Sequence, residues 1–173
     1  MGCNNRMQIT MEAMKLFMQS LPSNCQFGII SFGSNADWMS NKQLEDYNNQ
    51  SRDTSLSQIT NFSSNYGGTD ILTPLRMAFT LPQKANTKKR IFLLTDGTVS
   101  NGNEIKNYVN MECSKNDNVK LFSFGIGSGC DENLVRNSAI AGKGECSIIG
   151  DNDPVLLKEK VVNSLKKASE PSL

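Results

Sequence analysis

Two short motifs hold the residues of this chain that could do chemistry. The first is Gly-Gly-Thr-Asp at residues 67–70, and the second is Leu-Leu-Thr-Asp-Gly at residues 93–97. Thr69 offers a hydroxyl group and Asp96 a carboxylate, and such oxygens suit a hard cation such as Mg²⁺, which keeps several waters in its shell. The alternative interpretation is structural: Thr69 caps the next helix, and Asp96 forms a turn with the glycine that follows it.

Asp96 follows a short and mostly apolar run, residues 90–95, in which only the two end residues are polar. A run of this kind is typical of a strand that is buried on both faces of a parallel sheet. Open α/β folds bind their ligands at the edge where such strands end. We therefore expect Asp96 to lie at the carboxyl edge of a sheet, with Thr69 on a neighbouring loop.

The elements that must position these residues alternate along the chain. Apolar periodicity predicts helices at residues 7–21, 54–64, 71–81, 104–113, 131–141 and 154–168. Apolar runs predict strands at residues 26–33, 90–95, 119–126 and 145–149, a short edge strand at 37–39, and a polar loop at 41–53. This order predicts an α/β fold, a three-layer, Rossmann-like domain with a mostly parallel central sheet and helices on both faces.

The composition excludes several kinds of site. The chain has 173 residues, the length of one domain, and no histidine, which rules out Ser-His-Asp and Cys-His catalysis and every metal site that contains histidine. Its five cysteines form no C-x-x-C pair, which argues against a zinc site and favours a reducing compartment. A net charge of +1 gives no basic patch for nucleic acid. No run has the character of a signal peptide or membrane span, and we expect a cytoplasmic protein.

Two further motifs suggest chemistry that their surroundings do not favour. Residues 124–130 resemble a dinucleotide fingerprint, but Cys130 stands where G-x-G-x-x-G needs a glycine, so a tight glycine turn is the favoured interpretation. The Asp-Gly-Thr sequence at Asp96 is similar to the nucleophile motif of aspartyl-phosphate phosphatases. Those enzymes carry a second aspartate two positions away, where this chain has Leu94 and Thr98. A small hydrolase with Asp96 as nucleophile remains an alternative.

Three motifs in order carry a family resemblance. Gly-Gly-Thr-Asp at 67–70, Leu-Leu-Thr-Asp-Gly at 93–97 and Phe-Ser-Phe-Gly-Ile-Gly at 122–127 together resemble a von Willebrand factor type A domain. Residues 27–34 and 162–168 match as well, so the resemblance runs essentially from end to end. The subgroup that the chain resembles includes inter-α-trypsin-inhibitor heavy chains, the von Willebrand factor A domain-containing 5A proteins and vault poly(ADP-ribose) polymerase.

The resemblance implies a domain that binds protein partners and is not an enzyme. In that family, binding often uses a metal-ion-dependent adhesion site, whose second loop supplies a threonine, matched by Thr69, and whose third supplies an aspartate, matched by Asp96. A carboxylate of the partner then completes the shell of the metal. From their positions at loop and strand ends, we expect Asp70 and Ser34 to support the metal from behind its direct ligands.

One part of the family pattern is missing from this sequence. The first motif, Asp-x-Ser-x-Ser at the end of the first strand, is absent. We therefore expect a single domain at residues 1–173, truncated at its amino end and lacking the first central strand. The strands at 27–32 and 90–95 would then lose their shared neighbour. They would either present open edges, through which the chain can associate with itself, or pair directly with each other as the helices shift. The site also loses a carboxylate and two hydroxyls, so Mg²⁺ binding should be weak or absent.

The sequence thus predicts a non-enzymatic adhesion or scaffold domain with a degenerate metal site. Its partner is expected to be a protein, and neither nucleic acid nor a membrane span is expected. Two alternatives stay open, namely the small Asp96-dependent hydrolase and a gene fragment without independent function.

Overall fold

The fold is given by a computed structural model that describes residues 2–39, 43–61, 68–150 and 154–169. Six helices lie in these ranges: α1 Gly2–Ser20, α2 Asn49–Thr60, α3 Leu72–Phe79, α4 Gly102–Ser114, α5 Glu132–Ala141 and α6 Pro154–Ser169. Seven strands lie there: β1 Gln26–Phe27, β2 Ile30–Phe32, β3 Ala36–Trp38, β4 Glu45–Asp46, β5 Lys89–Thr95, β6 Val119–Ile126 and β7 Lys143–Ile149. Each predicted helix overlaps one of these helices, and β6 has the bounds that the sequence predicts.

The main sheet consists of three parallel strands in the order β5-β6-β7. Its central strand, β6, is buried along almost its whole length, as a strand covered on both faces should be. Two antiparallel pairs, β2 with β3 and β1 with β4, have no hydrogen-bonded ladder to this sheet within the described ranges. The parallel sheet is therefore the rigid frame from which the loops at its carboxyl edge project.

Apolar side chains form one cluster on each face of the main sheet. The cluster beneath α1 and α6 includes Phe17, Phe124 and Val161. The cluster beneath α3, α4 and α5 includes Ile105 and Leu121. Strand β6 contributes Leu121 to one cluster and Phe124 to the other, because successive strand residues point to opposite faces. Helices cover both faces of the sheet, which confirms the predicted three-layer α/β architecture.

The prediction of a polar loop at 41–53 was wrong from residue 45 onward, and residues 41 and 42 lie outside the described ranges. Strand β4 lies there, and α2 begins at Asn49. The Asn48 side chain accepts a hydrogen bond from the Ser51 N–H (2.9 Å), and the Ser51 hydroxyl accepts one from the Asn48 N–H (3.0 Å). This reciprocal capping box starts a helix with polar residues, which is why the segment has the composition of a loop.

The strand predicted at 26–33 is in fact two strands, β1 and β2, with Gly28 at the break. A Cβ atom at Gly28 would lie 2.2 Å from the carbonyl oxygen of Gln43. The chain from β1 therefore passes so close to a neighbouring backbone that only glycine fits. Strand β1 then pairs with β4, and β2 pairs with β3.

Strands β2 and β5 are each paired along one edge only, as far as the described ranges extend. The side chains of Ile91, Phe92 and Leu94 in β5 are only partly buried, whereas almost all side chains of the neighbouring β6 are fully buried. The expectation that these two strands have lost a shared neighbour stays a prediction.

Basic residues at the start of β5 tie two helix ends to the sheet. Lys89 Nζ donates hydrogen bonds to the carbonyl oxygens of Phe79 (3.2 Å) and Leu81 (2.6 Å), just where α3 ends. Arg90 Nε donates to the carbonyl oxygen of Ala168 (2.8 Å) in the last turn of α6. Carbonyl groups at a helix carboxyl end lack partners within the helix and carry partial negative charge, so these cations stabilise both ends. Partial burial lowers the pKa of Lys89.

Candidate functional site

Three loops meet where strands β2 and β5 end. The Asp70 N–H donates a hydrogen bond to the carbonyl oxygen of Gly33 (2.7 Å), which joins the loop before α3 to the loop after β2. A Cβ atom at Gly97 would lie 2.7 Å from Thr69 Oγ1, so the loop after β5 packs against the loop before α3. The three loops therefore form one edge of the molecule, as the sequence predicts.

The two predicted metal ligands, Thr69 and Asp96, are both exposed at this edge. The Thr69 side chain packs over Gly97, the residue directly after Asp96, so the hydroxyl and the carboxylate belong to adjoining surfaces. The buried Thr95 fixes this turn, because its hydroxyl accepts a hydrogen bond from the Gly97 N–H (3.2 Å). Sequence reasoning named Gly97 as a turn residue but missed the hydrogen bond from its N–H to the Thr95 hydroxyl.

Asp70 caps helix α3. One of its carboxylate oxygens accepts a hydrogen bond from the Thr73 hydroxyl (2.6 Å), and the other accepts one from the Thr73 N–H (3.2 Å). The bond from the Thr73 hydroxyl is the largest cause that lowers the pKa of Asp70. The carboxylate is thus bound to the helix start, and its predicted role behind a metal remains a prediction.

Asp70→Ala should destabilise the protein at neutral pH by about 1 kcal/mol, since it removes the cap of α3. The folded pKa of Asp70 lies below its unfolded value, so this contribution is present above the unfolded pKa, about 3.9, and is lost as the pH falls through the folded pKa. Urea unfolding of the wild type and the variant at pH 7 and in strong acid measures both effects. Thr73→Ala, which keeps the backbone bond, is the matched control and should cost less. Equal stability of Asp70→Ala and the wild type at pH 7 would contradict the capping role.

Ser34, the other residue predicted to support a metal, is exposed in the loop after β2. Its Cβ atom lies 3.7 Å from the position that a Cβ at Gly68 would occupy. Gly68 has a φ of +75°, a left-handed conformation that favours glycine and explains its place in the motif. Gly67 lies outside the described residues. The structure thus places Ser34 in one of the three loops at this edge, and its role in supporting a metal remains a prediction.

The glycine-rich segment after β6 forms a turn at the same edge. Gly127 has a φ of +82°, and its N–H donates a hydrogen bond to the carbonyl oxygen of Ile149 (2.8 Å). The interpretation as a tight glycine turn is confirmed. The Arg6 guanidinium lies against Gly129, since a Cβ there would be 2.8 Å from Arg6 Nη2, so the first turns of α1 contact this loop.

The oxygen ligands that the described loops offer at this edge are of the types that divalent cations bind, but few are present. No cluster of three or more His, Cys, Asp or Glu side chains suited to a metal occurs in the described ranges. The three loops present one exposed carboxylate, that of Asp96, with the hydroxyls of Thr69 and Ser34. Mg²⁺ uses such oxygen ligands with waters filling the remaining positions. The side chains present are thus of a kind that a hydrated divalent cation accepts, and metal binding by them stays a prediction.

Comparison with known proteins identifies the family. A family model described as the von Willebrand factor type A domain matches residues 1–148. The chain belongs to the von Willebrand factor type A family. Domains of this family are in general protein-interaction modules. The family resemblance drawn from the sequence motifs is thereby confirmed.

The curated relatives of this von Willebrand A domain are much longer proteins. The domain described here is 32% identical to a von Willebrand factor A domain-containing protein of Dictyostelium discoideum. The match runs over 164 residues and covers 93% of this chain and 17% of the relative. It is 29% identical over 168 residues to von Willebrand factor A domain-containing protein 5A of Rattus norvegicus, covering 97% of this chain and 20% of the relative. The chain spans about a fifth or less of the length of these relatives.

Solved structures show the same fold. A von Willebrand factor type A protein from Catenulispora acidiphila matches with a TM-score of 0.78 and 23% identity, over 95% of this chain and 38% of that chain. Proximal thread matrix protein 1 of the mussel byssus, in a structure whose metal-ion-dependent adhesion motif holds zinc, matches with a TM-score of 0.68 and 19% identity, over 90% of this chain and 39% of that chain. At these identities the likeness concerns the fold alone. Among the described helices of the von Willebrand A domain, none combines the length and apolar character of a membrane span.

Proposed function

We propose that this von Willebrand A domain is a non-enzymatic protein-binding module whose contact surface is the edge formed by the loops after β2, before α3 and after β5. The observation that supports the proposal is the packing of Thr69 over Gly97, which brings an exposed threonine to the turn that carries the exposed Asp96. An exposed polar surface on loops that a rigid sheet positions is where binding functions concentrate. The partner in this proposal is a protein.

In the same proposal, Thr69 and Asp96 hold a divalent cation weakly, with Ser34 and Asp70 behind them. A bound cation would supply a positive charge that an acidic side chain of the partner can approach. One carboxylate neutralises only part of a dication, and Asp70 already binds the start of α3, so affinity for Mg²⁺ should be low. Protein binding at this edge then depends on metal only in part.

The alternative of a phosphatase gains nothing from this geometry. Such an enzyme would need a second carboxylate as acid and base beside Asp96. Asp70, the acidic residue of the adjoining loop, is turned to Thr73 in the cap of α3. We therefore favour binding over hydrolysis. We also propose that the domain works in the cytoplasm, with the cysteines of the described ranges as free thiols.

Titration of the domain with Mg²⁺ and with Mn²⁺ by isothermal calorimetry tests the metal site. We expect weak, saturable binding that Asp96→Ala lowers by about tenfold or more, which corresponds to ~1.4 kcal/mol. Gly97→Ala should also weaken it, because the added methyl would displace the Thr69 hydroxyl from its present position. Asp53 is an exposed carboxylate on α2, so Asp53→Ala is the matched control and should bind both metals like the wild type. Equal affinity in Asp96→Ala and Asp53→Ala would overturn the site assignment.

A further inference from the structure

The edge at which the strands of the main sheet begin holds a concentration of positive charge. Strands β5, β6 and β7 are parallel, so their first residues share this edge. Four segments lead into these strands or end beside them, namely residues 83–90, 112–120, 143–145 and 166–167. They hold nine of the 18 lysine and arginine residues of the chain but only three of its 17 aspartate and glutamate residues. A chain with a net charge of +1 thus carries an excess of six positive charges at one edge.

Side-chain contacts join the four segments into one surface, which we call the basic edge. Each of three contacts links one segment to the next. The atoms in contact are Asn116 Nδ2 and Gln83 Oε1 (3.4 Å), Lys143 Nζ and Asp117 Oδ1 (2.8 Å), and Lys167 Nζ and Glu145 Oε2 (2.5 Å). The basic edge therefore extends across the starts of all three strands to the end of α6.

The cations of the basic edge exceed the negative charges that the fold places beside them. Three of these cations form ion pairs with the three carboxylates of the same segments. Lys89 and Arg90 donate to carbonyl oxygens at the ends of α3 and α6. Helices α3, α4, α5 and α6 all end at this edge, and four helix ends supply only about two negative charges in total. An excess of about four positive charges therefore remains.

Three lysines of the basic edge form no ion pair with any carboxylate of the described ranges. They are Lys84 before β5, Lys120 in β6 and Lys166 in the last turn of α6. Lys84 and Lys166 are exposed, and Lys120 is paired with Arg90 in the register of β6 with β5. Like charges on neighbouring strands repel each other, so an anion bound near them would relieve this repulsion.

The residue types of the basic edge favour an acidic protein segment over a nucleic acid. The four segments contain no Phe, Tyr or Trp on which a base could stack. Their one arginine, Arg90, donates to the carbonyl oxygens of Ala168 (2.8 Å) and Asn118 (2.8 Å) and is only partly exposed. The exposed cations are lysines, whose compact ammonium groups bind carboxylates without the fixed planar geometry of a guanidinium group.

We propose that the basic edge binds an acidic segment of a partner protein, a stretch of chain rich in aspartate and glutamate. The opposite edge of the sheet carries acidic residues, namely Asp70, Asp96, Asp131 and Glu132. An acidic segment is attracted to the basic edge and repelled from that opposite edge. The basic edge needs no metal and lies at the other end of the strands, so this binding site goes beyond the proposed function.

Fluorescence anisotropy of a labelled peptide of eight glutamates tests the proposal. We expect weak, saturable binding at about 20 mM salt that falls by about tenfold or more at about 200 mM, because salt screens exposed charges. The double variant Lys84→Glu with Lys166→Glu should lower the affinity by about tenfold or more, since it reverses two charges of the basic edge. The matched control is Lys106→Glu with Lys158→Glu, which changes the net charge equally at exposed lysines near the starts of α4 and α6. That control should lower the affinity by less than about threefold.

Each of three results would overturn the proposed partner. Equal loss of affinity in the two double variants would indicate attraction to the charge of the whole domain and no site at the basic edge. Binding of an oligothymidylate of equal charge at least about tenfold more tightly than the peptide would assign the surface to a nucleic acid. Salt-sensitive dimers of the domain alone in analytical ultracentrifugation, abolished by Lys84→Glu with Lys166→Glu, would assign it to the acidic edge of a second copy.

Discussion

Gly144→Ala is expected to destabilise the domain by about 3 kcal/mol or more, or to prevent its folding. A Cβ atom at this position in β7 would lie 2.0 Å from the carbonyl oxygen and 2.8 Å from the carbonyl carbon of Leu121. Both are backbone atoms of the central strand β6, and neither can rotate away. Strand β7 would have to leave its ladder with β6 at the point where its register already shifts.

Urea unfolding followed by circular dichroism measures this loss. Gly102→Ala is the matched control, because a Cβ at Gly102, at the start of α4, has no atom within 4 Å. That substitution should leave the stability within about 1 kcal/mol of the wild type or raise it, since alanine is the better helix former. If Gly144→Ala unfolded at the wild-type urea concentration, the close approach of β7 to β6 would be disproved.

Phe124→Ala is expected to cost about 3–5 kcal/mol, the range for removing a large aromatic side chain from a core. Phe124 is 0% exposed, and its ring lies 5.4 Å from that of Phe17 at 84°, an edge-to-face contact between β6 and α1. The truncation removes this contact and leaves a cavity beneath α1 and α6. Loss of packing of α1 against the sheet should accompany the loss of stability.

Equilibrium urea unfolding again gives the free energy, with two comparisons. Phe124→Leu keeps most of the volume and should cost less than half as much as the alanine variant. Met111→Ala removes a side chain of α4 that is 49% exposed and should change the stability by about 0.5 kcal/mol at most. A cost for Phe124→Ala no larger than that for Met111→Ala would show that α1 does not pack on β6 as described.

The sequence predicts this fold best where local pattern and tertiary packing agree. Strand β6 is an apolar run buried on both faces, and its bounds are those that the sequence predicts. Prediction fails where a distant backbone decides the outcome. The break at Gly28 depends on Gln43, which no local pattern reveals. The start of α2 rests on polar residues, Asn48 and Ser51, whose composition is equally that of a loop.

The candidate site shows the same division. The meeting of Thr69 with the turn after Asp96 could be predicted, because Asp96 follows a strand that ends at the carboxyl edge of the sheet and Thr69 precedes a helix that starts there. The binding of Asp70 to Thr73 could not be separated from a role beside a metal, since an aspartate before a helix suits either one. The part played by Thr95 depends on a turn whose geometry only the folded chain provides.

Among the residues that the structure describes, no ladder joins the β2–β3 pair to the main sheet, and this separation has a consequence for cooperativity. Each part can open without breaking backbone hydrogen bonds of the other, so the domain should contain two units with different free energies of local unfolding. The unit with β5, β6 and β7 holds the larger core and should be the last to open.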